Sequence, residues 1–152
     1  MWTQERSNAL DMFIRRESRR SFDDGLIAGM RIQEYWHPDI PPRGSEQEIT
    51  FYTAAIDSFD DILDFATLVM LFEWEDNITD SARSTFKLDA PTSIAKEKFE
   101  EHWSDCATKI NAPALAASDI VASYAVSDEW NDKFYVARDK DNYYAVCWST
   151  TA

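Results

Sequence analysis

Four aspartates, Asp57, Asp60, Asp61 and Asp64, stand at helical spacing within Ile49–Glu75, ITFYTAAIDSFDDILDFATLVMLFEWE. Carboxylates this close together can hold a cation, share acid–base work or attract a basic partner. At ~100° of rotation per residue, with Asp57 at zero, Asp60, Asp61 and Asp64 fall at about −60°, +40° and −20°. Ala55, Ile56, Phe59, Ile62, Leu63, Ala66, Val69 and Met70 fall on the opposite side. The pattern predicts an amphipathic helix with one acidic stripe. Like charges at these spacings cost roughly 0.2–0.5 kcal/mol per pair, and Asp is a mediocre helix former. The stripe is therefore expected to touch a partner, with Glu75 and Asp76 continuing it. The run Phe65 to Phe72, polar only at Thr67, predicts a second half buried on every side.

DDILD, Asp60 to Asp64, matches DDxxD and resembles the aspartate-rich motif of isoprenoid diphosphate enzymes. There, helix carboxylates hold magnesium against a diphosphate. The resemblance covers this pentapeptide alone, and the chain is far too short for that all-helical fold.

Other residue types capable of chemistry are sparse. His102 and Cys106 are four apart on one expected helix, but a structural zinc site needs four ligands and the other candidates, His37 and Cys147, lack paired spacing. A cysteine nucleophile would need an adjacent histidine in space. Glu73, Glu75, Asp76 and Asp80 could pair for acid–base work, although acidic crowding after a helix is ordinary surface. Three glycines leave no phosphate-cradling loop. No catalytic residue, metal or cofactor is assigned.

Charge carries the functional reading. The chain has 15 basic and 28 acidic residues in 152, a net charge of -13. Residues 1–44 hold seven of each sign, so residues 45–152 carry the whole excess. Such a surface repels nucleic-acid phosphates and anionic lipid, and favours a basic protein partner. Two cysteines form no disulfide framework and fit reduced thiols. The first residues, MWTQERSNALDMF, lack signal-peptide character, and no apolar run spans a membrane. A cytoplasmic protein is expected.

The elements that must position these residues read as α+β, in one globular domain over 1–152. A helix is expected over 4–20, its basic cluster Arg15, Arg16, Arg19 and Arg20 complementing the helix dipole. Asp23 or Asp24 could cap a second helix ending at Trp36, before His37-Pro38. The proline-rich HPDIPPRGSEQ reads as a surface loop, and Ser45 with Glu48 as a capping box starting the central helix. Arg83 to Asp89 alternates weakly, as a short strand would. Thr92 or Ser93 could cap a helix to Ile110 bearing Phe99, His102, Trp103 and Cys106 on one side. Ile120 to Val126, Phe134 to Arg138 and Tyr143 to Ser149 read as a three-stranded antiparallel meander, with 114–126 also admitting a helix. N-terminal helices are thus expected around a central amphipathic-to-buried helix, with the meander following.

These features suggest a small acidic binding protein that neutralises a basic partner, an immunity- or antitoxin-type inhibitor of a nuclease being the closest class. The alternatives are a nucleic-acid mimic of the anti-restriction type and an enzyme with dispersed active-site residues.

Overall fold

The computed structural model describes residues 2–15, 25–36, 46–74, 80–83, 85–111, 115 and 119–150. Its strands are β1 (Leu26–Ile27), β2 (Met30–Trp36), β3 (Gln47–Ala55), β4 (Thr92–Ser93), β5 (Ala122–Glu129), β6 (Asp132–Arg138) and β7 (Asn142–Thr150). All seven join one antiparallel sheet in the order β1-β2-β3-β7-β6-β5-β4. Helices α1 (Gln4–Ile14) and α2 (Ile62–Glu73) cover one face, and α4 (Lys96–Lys109) covers the other. A single short turn, α3 (Asp80–Arg83), completes the set.

The strands' period of two sorts the core into two layers. Ile32, Tyr52, Phe134, Val136, Tyr143 and Ala145 point toward α1 and α2. Ile49, Phe51, Tyr135, Ala137 and Val146 point toward Phe99, Trp103 and Cys106 of α4. Because β3, β6 and β7 are buried on both faces, their central residues are apolar at nearly every position. Phe65, Ala66 and Leu68 through Phe72 of α2 are all buried, with Phe65 stacked on Tyr143 at 5.3 Å. Helix α1 packs Phe13 on Phe72 at 4.8 Å and is capped by Thr3, whose hydroxyl accepts from the Arg6 amide.

The fold remains α+β, but the expected arrangement is corrected. The helix expected over Ile49–Glu75 is strand until Ala55, a 3-10 turn over Ile56–Ser58, and helix only from Ile62. Ile49, Thr50, Phe51, Tyr52 and Thr53 are β-branched or aromatic, types that favour a pleated surface. Burial on both faces supplied a continuous apolar run that a helical wheel also fits. The second expected helix, to Trp36, is the β1–β2 hairpin. Ala28 and Gly29 form its tip with φ of 51° and 83°, the left-handed pair a two-residue hairpin demands.

The C-terminal strands are not a separate three-stranded meander. They pair with one another, and β7 also pairs along its whole length with β3, making them part of the seven-stranded sheet. Thr92 and Ser93 lie in β4 rather than capping α4, which starts after Ala95 without a side-chain cap. No strand forms over 85–89. The expectations placed on Asp23, Asp24, His37, Ser45 and Arg16 to Arg20 lie outside the described residues.

Candidate functional site

Five exposed aspartates lie at one end of the sheet. Strand β3 leaves the sheet at Ala55 opposite Asn142, where β7 begins, so the loop after β3 and the β6–β7 turn lie side by side. The Ile56 amide donates to the Asp141 carbonyl at 2.9 Å and fixes that neighbourhood. The Val121 amide donates to the Arg138 carbonyl at 2.9 Å, bringing the start of β5 and Asp119 to the same end. The β1–β2 tip closes the other side, since a Cβ on Gly29 would stand 3.1 Å from Ser58 Cβ.

Three loops therefore present Asp57, Asp60 and Asp61, then Asp119, then Asp141, all exposed, with Lys140 beside them. Asp139 is of another kind. It is buried, and its carboxylate accepts from the amides of Asp141 at 2.8 Å and Asn142 at 2.7 Å and from the Tyr144 hydroxyl at 2.6 Å. Burial opposes its charge, but these donors outweigh burial and hold its carboxyl below the usual range. Asp139 shapes the turn, and Asp141 shows its charge to water.

The four aspartates at helical spacing do not form a stripe on a helix. Asp57 lies in the 3-10 turn and Asp60 in the bend after it. Asp61 is the N-cap of α2, its Oδ1 accepting from the Asp64 amide at 2.8 Å. Only Asp64 is helical, and it faces inward. Its two oxygens accept from both terminal nitrogens of Arg6 at 2.8 and 3.0 Å, and each side chain keeps 13% of its surface. Burial pushes its carboxyl up, yet the Arg6 bonds and the Asp60 amide more than offset this and leave it well below the usual range. Arg6 also lies 4.9 Å from the centre of the Phe59 ring. Asp64 thus ties α1 to α2 and is withdrawn from any partner. Glu75 and Asp76 lie outside the described residues.

Asp119 and Asp141 were not among the binding residues expected from the sequence, where Asp141 read only as a turn residue before β7. Asp119 lies 58 residues and Asp141 80 residues beyond Asp61 in the chain. The antiparallel pairing of β3 with β7 brings in Asp141, and the bond from Val121 to Arg138 brings in Asp119.

The helical geometry that the aspartate-rich motif requires is also absent, since Asp60 and Asp61 precede α2 and Asp64 is engaged by Arg6. Among the described residues, no three His, Cys, Asp or Glu side chains gather as metal ligands would. His102 Nε2 does approach Cys106 Sγ at 3.8 Å, one helical turn apart. Burial pushes the thiol up to about 12, and burial with Lys133 pushes the imidazole down to about 4. Both are neutral near pH 7, so this pair is not an activated thiolate and imidazolium. Cys106 and Cys147 are free thiols on opposite faces of the sheet.

No family model, no curated protein and no solved structure matches this chain.

Proposed function

We propose that this protein binds and neutralises a basic protein partner through the acidic end of its sheet. An immunity- or antitoxin-type inhibitor of a nuclease is the class it fits best. The observation that carries the reading is the grouping of Asp57, Asp60, Asp61, Asp119 and Asp141, exposed on three adjacent loops of one rigid sheet. Loops anchored on paired strands hold their charges in place before the partner arrives, which lowers the ordering cost of binding. A net charge of -13 steers a basic partner from a distance and raises its association rate. Nucleases are basic where they hold nucleic acid, so they are natural targets of such a surface.

A nucleic-acid mimic needs carboxylates along an extended surface, whereas the five aspartates on which this reading rests lie on loops at one end of the sheet. No helix among the described residues is long and apolar enough to cross a membrane. Two buried free thiols that cannot pair across the sheet are in keeping with a cytoplasmic home.

The test is capture of partners from an extract of the source cells on immobilised protein. The wild type is compared with a variant carrying Asn at positions 57, 60, 61, 119 and 141. A basic protein retained at low salt, released as salt rises and lost by the variant is the expected result. Equal retention by both proteins would remove these loops from the interface.

A further inference from the structure

On the face that carries α2, the helix is shorter than the strands beneath it. Twelve residues of α2 span about 18 Å, whereas nine of β7 span about 30 Å. Beyond the last turn of α2, among the described residues, the segment over 86–92 passes along the far side of the same face. Between them lies a cavity of about 670 Å³. It sits at the end of the strands opposite the acidic loops, because its floor is the start of β3 and β6 and the close of β7.

The floor is set by register. Glu48, Ser149 and Asp132 face one another across β3, β7 and β6, and Cys147 lies opposite Phe134 in the next pairs. Met70 and Trp74 from the end of α2 form one wall, and Phe86 and Leu88 form the other. Trp74 and Phe86 meet edge to face at 6.3 Å. The cavity is therefore apolar along its walls and floor centre and acidic around its rim. Glu48, Glu73, Asp89 and Asp132 line it, against the single ammonium of Lys87 among the described residues. Asp132 is exposed, and among the described residues its carboxylate takes one long bond, 3.3 Å from the Ser127 hydroxyl. The negative field reaches the floor: after burial, the carboxylates of Glu73 and Asp132 are what raise the Cys147 thiol.

We propose that this cavity is a binding site for a small organic cation with an aromatic or aliphatic body, such as an arylalkylamine. The apolar walls would take the body, and Asp132, with Asp89 across the mouth, would meet the ammonium. Its volume lies in the range that encloses ligands of that size. Cation–π contact with Trp74 adds to the same preference.

The experiment titrates phenethylamine into the intact protein at pH 7 and follows amide shifts by NMR. The matched anion, 3-phenylpropionate, is titrated in parallel, as are D132N and D89N. The expected result is saturable shifts for the amine, centred on Ser127, Asp132, Cys147 and Ser149, with none for the anion. D132N should weaken the amine about threefold, a typical worth for one partly exposed ion pair. Unchanged melting of D132N would show that the fold is intact, and D89N provides a second charge test should it melt early. No saturation up to the order of 10 mM amine, a very weak affinity, would overturn the proposal. So would equal response to the anion, shifts confined to Asp57–Asp61, or undiminished binding by both variants.

Discussion

Asp64 and its neighbours offer the sharpest separation between a structural carboxylate and a surface one. Asp64→Asn keeps the shape of the side chain and removes its charge. In the native protein this leaves the Arg6 guanidinium, 13% exposed, beside a neutral amide that can no longer accept two charge-assisted bonds. Breaking one side of a fully buried pair costs about 3–5 kcal/mol, while an exposed pair is worth about 0–1 kcal/mol. With a little surface left on each partner, the loss should be about 2–3 kcal/mol, or roughly 5–10 °C in Tm for a domain of this size. Urea unfolding at pH 7 measures it. Asp57→Asn and Asp61→Asn should each stay within about 0.5 kcal/mol of wild type, because the first is exposed and Asn caps a helix as well as Asp does. The paired change Arg6→Met with Asp64→Leu should lose less than Asp64→Asn alone, since it leaves no uncompensated charge. The Asp64 carboxyl is held below its unfolded value, so its contribution is full above about pH 4 and fades as acid is added. If Asp64→Asn unfolds at the wild-type urea concentration, the pair does not join α1 to α2 as described.

Further outcomes follow from single features. His102 is held near 4 against an ordinary 6.5, chiefly by burial, so the unfolded chain takes up a proton first as pH falls. Stability should be complete above about pH 6.5 and drop by up to about 3 kcal/mol toward pH 4; denaturation curves at pH 7.5 and 5 should show this, and His102→Gln should flatten it. Ala28 holds a φ of 51° that costs an L-residue about 1–2 kcal/mol. Ala28→Gly should therefore raise stability by roughly 0.5–1 kcal/mol after the entropy of glycine is subtracted, read as a later urea midpoint. Phe65 is fully buried between Phe59 and Tyr143, and Phe65→Ala should cost about 3–5 kcal/mol by the same measurement.

What could be read from the sequence follows the reach of each interaction. Local patterns were informative for α1 and α4, where a three-to-four-residue period runs, and for the three C-terminal strands, which stand out by their Val, Tyr, Phe and Trp content and the turn-like residues between them. They misled at β2, where Glu34 is buried 4% exposed in the middle of the strand and breaks the alternation of Met30 and Ile32. They misled again at β3, whose double burial erases any period. The candidate acidic surface was half visible. Asp57, Asp60 and Asp61 could be found by counting charge, and their company with Asp119 and Asp141 depends on a pairing between distant strands. That Asp64 belongs to the interior depends on Arg6, on another element altogether.

The pairing of β3 with β7 also bears on how the chain reaches this state. Gln47 meets Thr150 and Ala55 meets Asn142, so the middle of the sheet closes a loop of roughly ninety residues or more. The hairpins β1–β2 and β5–β6–β7 are local and can form in microseconds. The β3–β7 seam has to wait for an entropically costly encounter, and topologies dominated by such contacts fold slowly. During synthesis β7 emerges after every other strand of the sheet, so β3 has one unpaired edge until then. Its apolar faces, Ile49 and Phe51 on one side and Tyr52 on the other, stay open for the same interval. The step that joins the two halves is thus the one in which the nascent chain is most exposed to wrong partners.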